Sequence, residues 1–91
     1  MKTYKILIEK RLKRILKKLY KKDRNKYEIL MRKMGEISLK PHHYKPLSHD
    51  MAGIRRVHIG SFVLVFEIDE GDKTIKFLDL DHHDKIYRRR F

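Results

Sequence analysis

The side chains available for chemistry in this 91-residue chain are histidine, arginine, lysine and tyrosine; it has six histidines and no cysteine. A thiolate nucleophile and a disulfide are therefore both excluded. No Walker loop, dinucleotide fingerprint, zincin helix or Ser-centred elbow occurs. The remaining set suits metal-free cleavage of RNA. There the ribose 2′-OH attacks its own phosphate, so a protein has only to align the attack, move two protons and stabilise charge on the phosphoryl oxygens. Imidazole titrates near neutrality and serves the protons, while guanidinium and ammonium groups serve the charge.

Arg56 and His58 stand two residues apart on one candidate strand, and His82-His83 directly follow another. Each has a plainer reading. His58 reads equally as a half-exposed strand histidine, and Arg56 as a salt-bridge partner of Glu67 or Asp69. His82, His83 and Asp84 are metal-ligand types, but adjacent histidines point apart and no third spaced ligand is evident, which argues against a metal. Tyr87 can stack on a base or close the core. Arg88, Arg89 and Arg90 read as phosphate contacts or as a solvated tail. His42 and His43 read as loop surface.

The elements that must position these residues centre on residues 53–68, GIRRVHIGSFVLVFEI. Gly60-Ser61 suits a type II′ hairpin turn. That turn sets Ile59 opposite Phe62, Val57 opposite Leu64 and Arg55 opposite Phe66. Alternation then puts Val57, Ile59, Phe62, Leu64, Phe66 and Ile68 on a core face. Arg56, His58, Val63, Val65 and Glu67 fall on the other face, expected to be open.

Upstream, residues 3–8 alternate as a strand. Leu12, Ile15, Leu16, Leu19 and Tyr20 then recur at helical spacing, ending near Lys21. A second helix is expected from Asp23 or Asn25, with Asp23 as cap or Asn25 and Glu28 as a capping box. Its stripe is Tyr27, Leu30, Met31 and Met34, with Gly35 as stop. Residues 40–53 read as irregular because of Pro41, Pro46 and Gly53. A turn at Glu70-Gly71-Asp72 leads to a last strand over residues 73–81, then a short tail with one helical turn. The expected class is α+β: β-α-α-β-β-β, an antiparallel sheet covered on one face by an αα-hairpin. No repeat, linker or low-complexity stretch divides residues 1–91, which read as a single domain.

Hydrophobic residues make up 41% of the chain, which argues against disorder despite 40% charged residues. The formal net charge is +12. Residues 1–33 hold 14 Lys/Arg against 3 acids, residues 66–81 hold 2 Lys against 6 acids, and the tail from 85 is basic again. Two basic regions flanking an acidic patch favour a polyanion or an acidic protein as partner; a solvated lysine-rich helix face is the plain alternative. No apolar run is long enough to span a membrane and none marks a leader. The expectation is a reducing cytoplasm and no membrane.

The pattern LSHDMAGIRRVHIGSFVLVFEI followed by FLDLDHHDKIY resembles the RelE/ParE superfamily of toxins from prokaryotic toxin–antitoxin pairs. The similarity covers roughly residues 3–87 and is best over 47–87. Arg56 matches the family's strand arginine, Gly60 and Phe62 its turn glycine and following aromatic, and Tyr87 its late aromatic. His58 and His83 resemble the histidines of the YafQ-like branch. Val63 stands where RelE proper places an arginine against the scissile phosphate, Asp81 replaces the late glycine and His49 the loop glycine.

The resemblance implies a RelE-like fold and a metal-independent, cofactor-free endoribonuclease that cuts mRNA in the ribosomal A site. It further implies a cognate acidic antitoxin, the chain being a monomer or a hetero-oligomer with it. On that reading His58 and His83 share acid and base roles. Arg56 and Lys45 stabilise the phosphate, Tyr87 positions a base, and His82, Arg88, Arg89 and Arg90 hold substrate. The rival expectations are a ParE-type toxin acting on DNA gyrase and an inactive basic nucleic-acid-binding homologue. In the gyrase-directed rival the histidines are dispensable.

Overall fold

A computed structural model describes residues 3–51 and 53–91; Ala52, in the stretch expected to be irregular, lies outside them. The elements run β1 (Lys5–Ile8), α1 (Lys10–Lys22), α2 (Arg24–Leu39), a 3-10 turn (Pro41–His43), β2 (Ile54–Ile59), β3 (Phe62–Asp69), β4 (Thr74–His82) and α3 (His83–Ile86). The expected order is thus present. One feature of the sheet differs: its strand order is β1-β4-β3-β2, and β1 lies parallel to β4. The two helices between β1 and β2 return the chain, so β1 takes the far edge and runs with β4, while short turns keep β2–β3–β4 antiparallel.

The hairpin register is the expected one: Ile59 faces Phe62, Val57 faces Leu64 and Arg55 faces Phe66. Gly60 has φ +62° and Ser61 does not enter the left-handed region, the pattern of a II′ turn. On the inner face, Leu64, Phe66, Ile75, Phe77 and Leu80 meet Leu12 and Leu16 of α1 and Leu30, Met34 and Ile37 of α2 in one buried cluster. Helix α2 departs from expectation in two ways. Gly35 does not stop it: Ile37, one turn after Met34, continues the buried stripe, and the helix runs on to Leu39. Met31 points outward and is partly exposed. Asp23 caps it, accepting from Lys26 N at 3.1 Å, so the Asn25–Glu28 box is not used.

The face expected to be open is half covered. Val63 and Val65 are fully buried. With Leu47, Ile54 and Ile86 they form a second cluster, against which Met51, Leu78 and Tyr87 pack. The residues before β2 close over this face because they pair with it: Leu47 N donates to Ile54 O at 2.6 Å and Arg56 N to Lys45 O at 3.0 Å. A register irregularity between Val65 and Phe66 brings Asp79 opposite Val65 and Phe77 opposite Phe66.

At the β1 edge, Glu70 accepts from the Tyr4 hydroxyl (2.7 Å) and Lys73 Nζ (2.8 Å) and lies 2.6 Å from His42 Nε2. Lys73, then Tyr4 and His42, hold the Glu70 carboxyl down at about 2. The same bond to Glu70 raises the Tyr4 hydroxyl. This contact ties β1, the 3-10 turn and the β3–β4 turn together.

Two predictions arise here. Gly60→Ala forces an L side chain into the left-handed region and should cost about 1–2 kcal/mol; chemical denaturation should show this, with Ser61→Ala near neutral. The depressed Glu70 pKa means that its bonds stabilise the fold fully above the ordinary carboxylate value of 4.5 and lose that contribution as pH falls toward about 2. Glu70→Gln should flatten stability across that acid window, as urea denaturation at a series of acid pH values would read.

Candidate active site

Strand β2 presents Ile54, Arg56 and His58 on the face of the second cluster, with Ile54 buried, Arg56 half-buried and His58 exposed. Arg56 and His58 therefore stand at the rim of the apolar cover. Helix α3 supplies the other side. One turn places His83 and Tyr87 together, with Tyr87 N donating to His83 O. Ile86 of the same turn is buried in the second cluster and anchors it.

The four side chains form a connected row. Arg56 Nη1 lies 3.0 Å from His58 Nε2. The rings of His58 and His83 stack with centroids 5.7 Å apart and planes 17° from parallel. The Tyr87 ring lies 4.6 Å beyond His83 at 41°. Among the described residues Arg56 forms no ion pair with Glu67 or Asp69, and its Nε is buried without an acceptor. Guanidinium only donates, so the Arg56 bond requires a lone pair on His58 Nε2. A ring that accepts there is neutral and carries its proton on Nδ1. His83 Nδ1 faces the Asp84 carboxylate at 3.7 Å.

The turn that carries His83 and Tyr87 is short, and ion pairs hold it. Arg89 just beyond it binds Asp79 through Nη1 and Asp81 through Nη2 (2.5 Å). Asp79 is 2% exposed and also accepts from Arg11 Nε of α1 (3.0 Å) and from Leu80 N (2.8 Å). Burial acts to raise the Asp81 carboxyl, but the His82 amide and Arg89 outweigh it and hold it below its usual value. Arg89 responds in kind, raised by its two carboxylates against the effect of burial.

The other expected site residues scatter. Arg89 does not serve as a free phosphate contact, because two carboxylates occupy its guanidinium. His82 pairs in register with Phe62 and packs on its ring at 4.4 Å, so alternation puts it on the sheet face opposite His58. Arg90 is exposed near Asp50 (3.8 Å) and Arg88 is exposed. Lys45 lies beside Arg56 in a groove of about 490 Å³ whose walls include Ser48 and His49. Asp79 and Arg11 are the residues the sequence did not flag. An acid at a core-period position of an apolar strand is the available signal, but the bulge that moves Asp79 from the face of Ile75 and Phe77 to that of Val65 has none. Among the described residues no cluster of three or more His, Cys, Asp or Glu side chains could hold a metal ion, and no helix is long and apolar enough to cross a membrane.

This sheet and helical hairpin have the fold of the RelE/ParE toxin superfamily. The family model for the ParE toxin of the type II toxin–antitoxin system parDE matches residues 6–87, and the chain belongs to that family. It is 50% identical over 88 residues to the RelE4 protein of Methanocaldococcus jannaschii, an overlap spanning 96% of this chain and 94% of the relative. Its fold resembles that in the RelBE2 toxin–antitoxin complex of Mycobacterium tuberculosis, with TM-score 0.75 and 26% identity over 91% of this chain and 94% of that one. Free E. coli RelE shares the fold, with TM-score 0.73 and 16% identity over 92% and 87% of the two chains.

Removing the buried carboxylate should be expensive. Asp79→Ala takes the buried partner from Arg11 and Arg89 and leaves them only the less buried Asp81. Breaking a fully buried pair costs ~3–5 kcal/mol, and because Arg11 is half-exposed the loss here should be on the order of 2 kcal/mol. Urea denaturation measures it; a loss below about 0.5 kcal/mol, the level of an exposed pair, would show that the network does not anchor α3.

Proposed function

We propose that this toxin is a metal-independent endoribonuclease that cleaves mRNA, acting in the ribosomal A site, and that an acidic antitoxin silences it. The observation that carries the reading is the stacked pair of His58 and His83 with Arg56 bonded to His58. Two imidazoles from different elements, side by side at an exposed rim and next to a cation, match the needs of 2′-OH attack. His58 is the base: its Nε2 presents a lone pair, and when Arg56 swings onto a phosphoryl oxygen that lone pair is free to take the 2′-OH proton. His83 is the acid. In its protonated form its ring gives a proton to the leaving 5′ oxygen. The products are a cyclic phosphate and a free 5′-OH. Tyr87 offers a ring on which a neighbouring base can stack, and Arg56 takes up the charge that builds on phosphorus.

An antitoxin partner is supported by the likeness to a chain solved as a toxin–antitoxin complex. It is also supported by the exposed lysines of α1, at positions 10, 13, 17, 18 and 21, which form a basic surface. A second reading is a ParE-type toxin acting on DNA gyrase, favoured by the ParE family model.

Cleavage of ribosome-bound message separates the two. His58→Ala and His83→Ala should each lower the rate by about 10²–10⁴-fold with circular dichroism unchanged. Their double variant should fall short of the product of the single effects, because the pair works as a unit. Cleavage should survive EDTA and show a bell-shaped pH profile. If both single variants cut at the wild-type rate, the histidine mechanism is wrong. If wild type cuts nothing yet inhibits gyrase, the second reading replaces the first.

A further inference from the structure

The groove beside the histidine pair has a chemistry of its own. Lys45, Pro46, Leu47, Ser48, His49 and Arg56 line its volume of about 490 Å³. Three of these six can carry positive charge, one is a hydroxyl and none is acidic. The one carboxylate of residues 40–53 is Asp50, which lies near Arg90 at 3.8 Å. The floor is fixed rather than adaptable: Pro46 bridges to Arg55, Arg56 N donates to Lys45 O, and Leu47 N donates to Ile54 O. The Ser48 carbonyl accepts from Met51 N at 3.3 Å and shapes the turn that carries His49.

Arg56 is shared between this groove and the histidine row. Its Nη1 is engaged by His58, while its Nε is a buried donor with no acceptor. Such a donor is costly to leave unmade. A small rotation of the guanidinium that brings an anionic oxygen to it is therefore favourable. A phosphate matches the set: it is an anion with several acceptor oxygens and takes bonds from ammonium, imidazolium and hydroxyl groups together.

We propose that this groove is a second phosphate subsite, holding the phosphate one nucleotide away from the cleaved linkage through Lys45, His49 and Ser48. It rests on the ribonuclease reading for its substrate. The site makes the enzyme a reader of at least two consecutive nucleotides. Arg56 then couples the two phosphates, so occupancy of the groove draws the guanidinium off His58 and leaves its Nε2 lone pair available.

The test uses the whole protein and a dinucleotide with a 2′-O-methyl at its linkage, which cannot be cleaved, made with and without a terminal phosphate. Calorimetry should show that the terminal phosphate tightens binding by about tenfold or more, the value of a charge-assisted contact. His49→Gln and Lys45→Ala should each remove most of that gain, and His49→Gln should leave binding of the unphosphorylated dinucleotide unchanged. Lys17→Ala, on the outer face of α1, controls for general charge. A phosphate gain that survives in both groove variants, or falls equally in Lys17→Ala, overturns the subsite. Inorganic phosphate is the second arm: if it binds and competes as tightly as the dinucleotide's phosphate gain implies, the groove is a free-anion site and the nucleotide assignment falls. Cleavage of ribosome-bound message by wild type reports separately on the ribonuclease reading. Cleavage with no groove-dependent gain sinks the subsite alone, groove-dependent gain without cleavage sinks the nuclease alone, and binding of neither dinucleotide sinks both.

Discussion

Strand β3 has no wet side. Val63, Leu64, Val65 and Phe66 are all fully buried, so both faces of the middle of the sheet have to be covered. An antiparallel hairpin normally keeps one face in water. Here α1 and α2 cover one face. The other is left to short pieces: the segment before β2, through Leu47, and the single turn of α3, through Ile86. Burying a valine pair and an isoleucine from water, at roughly 1.5–3 kcal/mol per side chain, is what draws these pieces in. Without that demand nothing would bring the end of the chain back onto β2.

So short a cover needs pins, and they are polar. The segment before β2 is pinned by strand-like backbone bonds to Ile54 and Arg56. The C-terminal turn is pinned by Arg89 on Asp79 and Asp81. A buried carboxylate is tolerated only when paired and fully hydrogen-bonded. Asp79 meets that condition with two guanidiniums and a backbone amide. It joins three parts of the chain, since Arg11 opens α1, Asp79 lies in β4 and Arg89 follows α3. The candidate site lies where this cover ends, so that Arg56 and His58 emerge from the sheet beside His83 and Tyr87. The apolar cover and the ionic pin thus set the histidine spacing, although of their residues only Tyr87 takes part in the proposed chemistry.

The excess of positive charge divides into two populations. Arg11 and Arg89 are spent on Asp79 and Asp81 at the sheet, and Lys73 and Lys33 on Glu70 and Glu36 at the surface. The lysines on the outer side of α1 are exposed and leave a positive field that attracts polyanions at long range and weakens with salt. Arg56 belongs to neither group. It is half-buried, bonded to an imidazole rather than to an acid, and has one donor unsatisfied.

By itself the sequence determined the order of elements, the hairpin register and the identity of the inner core. These depend on local signals: a Gly-Ser turn needing positive φ at its first residue, period-2 alternation, and leucines at helical spacing. It also pointed to Arg56, His58, His83 and Tyr87, which the fold brings into one row. Local signals failed where a distant residue made the decision. Gly35 reads as a stop, but the burial of Ile37 carries α2 past it. The face with Val63 and Val65 reads as open because alternation cannot reveal a cover that arrives from residues 47 and 86. Arg89 reads as one of three equivalent tail cations, and only the bulge before Phe66, which puts Asp79 on the face of Val65, singles it out. His82 and His83 both read as site residues, yet the strand ends between them, one staying on the Phe62 face and the other turning with α3 toward His58. Long-range burial and pairing of charge made those choices, and neither leaves a mark in the spacing of neighbouring residues.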